Sequence, residues 1–198
     1  MRLIICLIAV IQLVACSSSS APTRYYLLNP MTSSASDNSV DMALVVGPVQ
    51  VANHLQRRGI IDRRSAHELN YSSAQLWASA LPQQLPVIIR QSLQQQLPNA
   101  QLSDFSQALP IANTSSHQLM VEVLHFDGEL GGQVRLTASW QLYNRVDHLV
   151  VAQGLFNQQI PTTTSDYDDL VRVHNELLSA LTQQLVKAVI TADAAGKS

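Results

Sequence analysis

Apolar and polar residues alternate along the second half of the chain with the two-residue period of half-buried strands. The clearest stretch is 134–142, in which every second residue is apolar. Further strand-like stretches, at 119–124 and 149–160, precede and follow it. Gly-containing and polar turn segments, at 127–132 and 144–147, separate the three stretches. The pattern therefore predicts a meander of three antiparallel strands.

A long amphipathic helix is predicted after the meander. Apolar residues recur at helical spacing from Leu170 to Val189 and form one continuous stripe. Ser165 is the predicted N-cap, because aspartates follow it in the first turn, where the helix dipole favours negative charge.

The first half of the chain gives weaker signals. Apolar runs at 25–28 and 43–51 predict strands, and the second run is interrupted by Gly47-Pro48. Residues 57–64 and 67–71 predict a further pair of strands around a polar turn.

An interrupted helical pattern follows those strands. Apolar residues from Leu76 to Leu93 recur at helical spacing, but Pro82 and Pro86 each remove a backbone donor. We expect either a kinked helix or a short helix followed by a second one that starts near Pro86. The order of elements predicts a single α+β domain, in which an antiparallel sheet carries two long helices packed on one face.

The first sixteen residues show the pattern of a lipoprotein signal. One Arg precedes an apolar run of about a dozen residues, shorter than the ~20 that a membrane-spanning helix needs and typical of a cleaved secretory signal. The run leads into Leu13-Val14-Ala15-Cys16. We predict that the Cys16 thiol is acylated, and Ser17 at the next position favours the outer membrane. The alternative is an ordinary signal peptide that contains a cysteine.

These patterns predict four segments: a signal peptide at 1–15, the lipidated Cys16 with a tether at 16–24, a domain at 25–193 and a tail at 194–198. The composition of the tether, mostly Ser, Ala, Pro and Thr, is typical of a flexible linker. Removing fifteen of the 198 residues leaves 183, a length expected to form one domain.

Composition narrows the class of function. Only 13% of the residues are charged, the formal net charge is −2, and there is no basic block, so nucleic acid and anionic-lipid surfaces are poor candidates as electrostatic partners. The two cysteines are Cys6, which leaves with the signal, and Cys16. The predicted mature domain therefore has no disulfide, cysteine nucleophile or cysteine metal site.

Motifs for catalysis or metal binding are missing from the sequence. The six histidines include no pair at the spacing of a helical metal site, and the aspartates at 166–169 lack the Gly and Glu of a calcium loop. There is no Gly-x-Ser-x-Gly motif and no phosphate-binding glycine loop. We predict no catalytic residue, no metal and no cofactor.

Two groups of residues are candidates for binding. The loop at 57–68 makes four arginines available to a charged partner: Arg57, Arg58, Arg63 and Arg64. Three apolar residues share the second face of the strand at 119–126: Met120, Leu124 and Phe126. They either pack under a loop or form an exposed patch for a protein or lipid.

Several short motifs occur in a fixed order behind the lipobox and together span nearly the whole predicted mature chain. They are Arg24-Tyr25-Tyr26-Leu27-Leu28, Leu44-Val45-Val46-Gly47-Pro48-Val49 with Gly59-Ile60-Ile61-Asp62-Arg63, Leu76-Trp77-Ala78 with Leu81-Pro82, 121–128 with 136–140, and 167–171. In this order they resemble the ABC-type transport auxiliary lipoproteins, the paraquat-inducible protein C family. The chain departs from the family pattern at 65–68, where Ser-Ala-His-Glu replaces a stretch usually richer in Asn and Arg.

The resemblance implies a non-enzymatic outer-membrane lipoprotein. Such a protein is the docking subunit for an inner-membrane-anchored MCE-domain protein, in a system that moves lipids between the two membranes and supports envelope integrity. The alternative is a periplasmic lipid-binding carrier whose apolar groove includes Met120, Leu124 and Phe126. A periplasmic hydrolase is a third hypothesis, and no motif in the sequence supports it. The transported lipid, the direction of transport and self-association as a homo-oligomer stay open.

Overall fold

The structure of the chain is a computed structural model that describes residues 22–30, 40–105 and 116–196. These residues form a mixed sheet, two long helices and one short 3-10 turn at Asn53–Leu55. The strands are β1 (Arg24–Tyr26), β2 (Ala43–Val51), β3 (Gly59–Arg63), β4 (Leu69–Trp77), β5 (Gln101–Asp104), β6 (His117–Gly128), β7 (Gln133–Asn144) and β8 (Leu149–Pro161), and the helices are α1 (Leu81–Gln96) and α2 (Tyr167–Gly196).

The sheet divides at β6. One side of β6 pairs along its length with antiparallel β7, which in turn pairs with β8. The other side is shared, because β2 pairs with β6 as far as Val123, whereas β3 joins β6 at Gly128. The β2 branch continues to β5, and the β3 branch continues to β4 and β1. As a result, β1 and β8 lie at opposite edges of the sheet.

The α+β class is confirmed, but the sheet is not wholly antiparallel. The meander β6–β7–β8 is antiparallel as predicted, and so is the pair β3–β4. The pairs β1–β4, β2–β5, β2–β6 and β3–β6 are parallel. Parallel neighbours need a long crossover between them, and here β3, β4 and α1 separate β2 from β5 along the chain. Strand β5 was not predicted.

Helix α1 begins later than its apolar pattern suggests. Trp77 ends β4, where it pairs with Tyr26, and the helix starts at Leu81 after the N-cap Ala80. The buried Trp77 and Leu81 are four residues apart, so the end of a strand imitates a helical repeat. A second helix starting at Pro86 is not seen, because one helix contains this proline and continues to Gln96.

Helix α2 begins one residue later than a Ser165 cap implies, since Asp166 is the capping side chain. Its Oδ1 accepts the backbone N–H of Asp169 at 2.8 Å. The Asp169 carboxylate accepts hydrogen bonds from the backbone of Thr164, the side chain of Arg172 and both donors of Thr163, which hold its pKa well below the usual range despite partial desolvation. The predicted acidic first turn therefore both caps the helix and fastens the preceding loop.

One hydrophobic core lies between the sheet and the helices. Helix α1 packs on β2 and β5, helix α2 packs on β6, β7 and β8, and the helices contact each other. The predicted α2 stripe is buried, with Leu170, Leu177 and Val189 fully covered. Within the described ranges, neither helix is long and apolar enough to cross a membrane.

Candidate functional site

Phe126 lies in the core, so the prediction that it shares one face of its strand with Met120 and Leu124 is wrong. A bulge between Val123 and His125 shifts the register of β6 against β7. One extra residue moves every later side chain to the opposite face of a strand. Phe126 is therefore only 2% exposed and packs under α2.

Met120 and Leu124 stay half-buried on the other face of β6. Met120 lines a cavity of about 200 Å³ next to Pro48 and Gln50. Ligand pockets typically measure about 300–1,000 Å³, so this hollow is small for a lipid chain. Because Phe126 is absent from its wall, the three residues do not form the groove expected of a carrier.

Arg57 and Arg58 both contact aromatic rings and lie on the surface. The Arg57 guanidinium carbon is 4.8 Å from the centre of the Tyr71 ring. Arg58 donates hydrogen bonds to the backbone oxygens of Trp77 at 3.1 Å and Ala78 at 2.7 Å. Arg58 is thus held by the end of β4, whereas the described residues show only the ring contact with Tyr71 for Arg57.

Arg63 and Arg64 are paired with buried carboxylates. Arg63 Nε is 2.5 Å from Asp127 Oδ1, and Arg64 Nη2 is 2.8 Å from Asp62 Oδ2. The Arg63 side chain is 19% exposed and that of Arg64 is 57% exposed. The four arginines therefore do not form one free cationic patch, and partner binding by this loop stays a prediction.

Asp127 joins three strands at the point where the sheet divides. It lies on β6 and is completely buried. Arg63 reaches it from β3, and Arg135, its cross-strand partner on β7, places Nε 3.3 Å from the same Oδ1. The carboxylate thus connects the β3 branch to the meander through two charged neighbours.

A group of potential metal ligands surrounds this ion pair. His54, His125 and Asp127 each offer one atom, and these atoms lie within 4.8 Å of one another. Asp127 with Arg63 and Arg135 already carries a formal charge of +1, which repels a divalent cation. Desolvation, followed by the Arg135 charge, also lowers the pKa of His125. The arrangement is better suited to a structural ion pair than to a metal centre.

His174 of α2 is buried against the same part of the sheet. Its ring centre lies 4.5 Å from that of Phe126 and 5.6 Å from that of Trp77. Nδ1 is 2.8 Å from the Leu170 backbone oxygen, so the neutral ring donates this bond. Burial lowers the pKa of His174 to about 4. The side chain is therefore a neutral part of the core at neutral pH.

The edge strand β8 is the least protected surface of the described structure. None of its thirteen residues carries a charged or histidine side chain, and β8 pairs only with β7 among the residues described. Leu149 and Leu155 are 62% and 60% exposed, and Val150 and Val151 are 47% and 44% exposed. We call these four residues the β8 patch. Soluble proteins usually protect edges of this length with charges or proline.

A surface cavity of about 750 Å³ adjoins the β8 patch. It lies between the second half of α2 and the start of β8, and Val151 belongs to both features. Its wall includes Trp140, Ala152, Ala188 and Lys187. The cavity is large enough to accept apolar side chains from a bound segment.

The family model for the ABC-type transport auxiliary lipoprotein component matches residues 25–186. The chain belongs to this family. Its sequence is also 30% identical to the intermembrane transport lipoprotein PqiC of Escherichia coli K12 over 169 residues, which cover 84% of this chain and 86% of the relative. The PqiC protein of Shigella flexneri matches with the same identity and coverage. The resemblance inferred from the motifs is confirmed.

Solved structures share the fold. A crystal structure of an uncharacterized protein is similar with a TM-score of 0.71 at 24% identity, and the match covers 84% of this chain and 98% of that one. A protein from Xanthomonas campestris gives a TM-score of 0.70 at 16% identity, with 88% and 99% covered. At these identities the likeness concerns the fold alone.

Neither the buried ion pair nor the β8 patch was predicted from the sequence. A signal for the ion pair was present, because Asp127 and Arg135 lie at equal distances from Gly131 in the predicted hairpin, where opposite charges face each other. The β8 patch could have been suspected from a thirteen-residue strand without a charge. It was not predicted because the order of strands in the sheet decides which strand lies at an edge, and the sequence pattern does not show that order.

Proposed function

We propose that this chain is an outer-membrane lipoprotein that acts, without catalysis, as the docking subunit for an MCE-domain protein in an intermembrane lipid transport system. The observation that carries the proposal is the family match over 25–186, together with the likeness to intermembrane transport lipoproteins. The proposed system supports the integrity of the envelope, and its MCE-domain protein is anchored in the inner membrane.

The lipobox supports the anchor. Cys16, the signal peptide at 1–15 and most of the tether lie outside the described residues, so the argument is one of sequence. Each buried methylene contributes roughly 0.8 kcal/mol, and two or more acyl chains hold a protein at a membrane essentially permanently. Ser17 at the position after the cysteine supports sorting to the outer membrane.

We assign docking of the MCE-domain protein to the β8 patch. The strand offers unpaired backbone groups to an added strand, and its uncharged side chains impose no large desolvation cost on a partner. The neighbouring cavity gives that partner a place for apolar side chains. The arginine loop is the competing surface, with Arg57 and Arg64 as its most accessible members.

Co-purification from detergent-solubilised envelopes tests this assignment. Val150→Lys with Leu155→Lys places two charges on the patch, and we expect recovery of the MCE-domain protein to fall at least tenfold. Arg57→Ser with Arg64→Ser is the matched pair on the competing loop and leaves recovery unchanged. Loss of recovery only in the arginine pair would reject the β8 patch. Failure of the unaltered chain to recover any MCE-domain protein would reject the proposed function.

The 750 Å³ cavity favours one second candidate, a lipid carrier. The apolar part of its wall and Lys187 suit an acyl chain with an anionic headgroup, although Asp147 also lines the cavity. Native mass spectrometry of the domain without Cys16 separates the two functions. A clean apo mass supports the docking subunit, and co-purified phospholipid supports the carrier.

A further inference from the structure

Two large apolar side chains are exposed at the β1 edge of the sheet, one in the strand and one directly after it. Tyr25 and Leu27 are 61% and 60% exposed, whereas Tyr26 and Leu28 between and after them are buried. This alternation follows from the extended backbone, which directs successive side chains to opposite sides. The exposed pair therefore points away from the core as a direct consequence of the burial of its neighbours.

The backbone that carries this pair is fixed to the domain. The Tyr26 oxygen accepts the N–H of Ala78 at 2.7 Å, and the Leu28 N–H donates to Gln84 Oε1 at 3.2 Å. The next N–H, that of Asn29, donates to Asn175 Oδ1 of α2 at 2.9 Å. Tyr25 and Leu27 are thus held outward by contacts to β4, α1 and α2.

Charged groups surround the exposed pair. The Arg58 guanidinium carbon lies 5.5 Å from the centre of the Tyr25 ring. Arg24 precedes it and lies 3.8 Å from Asp168, with both side chains mostly exposed. Two arginines and one aspartate give the group a formal charge of +1. A tyrosine ring, a leucine and snorkelling arginines are the residues found at membrane interfaces.

The covalent distance to the predicted anchor is short. Nine residue steps separate Cys16 from Tyr25, and a fully extended chain spans about 3.5 Å per step, or roughly 30 Å in total. A domain of this size is about 40 Å across. The β1 edge is therefore held within about 30 Å of the anchoring membrane, less than the width of the domain, so contact through β1 needs the least extension of the tether. A weak contact suffices because the tether keeps the local lipid concentration high.

We propose that Tyr25 and Leu27, flanked by Arg24 and Arg58, rest in the headgroup region of the phospholipid bilayer that anchors Cys16. The contact orients the domain so that the β8 patch faces away from that membrane. The inference rests on the proposed lipid anchor and adds to it a defined membrane-facing surface.

Fluorophore labelling tests the contact, because acylation of Cys16 and loss of Cys6 leave no other thiol in the mature chain. Leu27→Cys carries an environment-sensitive nitrobenzoxadiazole probe, and Leu155→Cys is the matched control, since both leucines are 60% exposed but lie at opposite edges. The lipidated full chain is reconstituted into vesicles of phosphatidylethanolamine and phosphatidylglycerol. We expect emission at position 27 to rise at least about twofold and to be quenched by spin-labelled lipid, with no change at position 155.

Flotation of the vesicles separates the two proposals. If the chain floats and both probes report water, the membrane contact is wrong while the anchor stands. If the chain does not float, the anchor fails and the contact fails with it. A larger response at position 155 also overturns the orientation. Adding Tyr25→Asp to the position-27 probe should lower its emission to the level of position 155, and Leu155→Asp should leave it unchanged.

Discussion

The edge strands β1 and β8 differ in length, charge and attachment. The β1 edge has three residues, is pinned by hydrogen bonds to both helices and has charged neighbours in Arg24, Arg58 and Asp168. The β8 edge has thirteen residues and no charge. Short or charged edges resist unwanted pairing, and long uncharged ones invite it. The β1 edge is therefore suited to being held near the anchor, and the β8 edge is suited to accepting a partner.

Removing the lipid anchor has the largest expected effect, because it releases the β1 edge from the membrane. We expect Cys16→Ser to move the domain from the membrane fraction to the soluble periplasmic fraction, because no acyl chain remains to hold it. Cell fractionation measures the distribution. Retention of the variant in the pellet at high salt would show that something other than the lipid anchors the chain.

Changing the sorting residue keeps the anchor but moves the protein. Ser17→Asp should retain the acylated chain at the inner membrane in enteric-type bacteria, which density-gradient separation of the two membranes detects. Ser18→Asp is the control and should still reach the outer membrane. Equal distribution of both variants would contradict the role assigned to position 17.

Neutralising Asp127 uncouples the two halves of the sheet. Asp127→Asn leaves Arg63 and Arg135 without their buried carboxylate, so we expect the free energy of unfolding to fall by about 3 kcal/mol. Urea denaturation measures the change. Glu68→Gln, at an exposed position, should stay within about 0.5 kcal/mol of the unaltered chain. A similarly small change in Asp127→Asn would remove the ion pair as the link at the division of the sheet.

Protonation of the buried His174 destabilises the core under α2. Its pKa is about 4 in the folded chain and 6.5 without burial, so the unfolded chain binds more protons between these values. Stability therefore falls as the pH drops from above 6.5 towards 4, by about 2 kcal/mol between pH 8 and pH 5.

Thermal unfolding across this pH range measures the effect of His174. His174→Leu should flatten the pH dependence, whereas replacing the exposed His67 by Gln should leave it in place. An unchanged slope in His174→Leu would assign the acid sensitivity to another group.

The sequence was sufficient for elements that carry a long periodic signal. The β6–β7–β8 meander and the α2 stripe were predicted because their apolar positions repeat at one spacing over ten or more residues. The bulge between Val123 and His125 was not predicted, because one inserted residue does not change the composition of a strand. The bulge places Phe126 on the opposite face from the one predicted. The parallel pairs and the short strand β5 depend on contacts between distant segments, and local periodicity carries no information about such contacts.

The candidate sites also fall into two groups, those with a local sequence motif and those that depend on the topology of the sheet. The lipidation of Cys16 is predicted from a local motif, and it stays a prediction because Cys16 lies outside the described residues. The exposure of Leu27 and Leu155 depends on which strands occupy the edges of the sheet, and only the topology shows this. The positions of the arginines at 57–64 are known from the sequence, but only the structure shows that Arg63 and Arg64 pair with buried carboxylates.

Photo-crosslinking in cells tests the docking assignment most directly. A benzoylphenylalanine at position 155 should yield a covalent adduct with the MCE-domain protein, identified by mass spectrometry, and the same group at position 27 should not. An adduct from position 27 or from the arginine loop, with none from position 155, would contradict docking through the β8 edge.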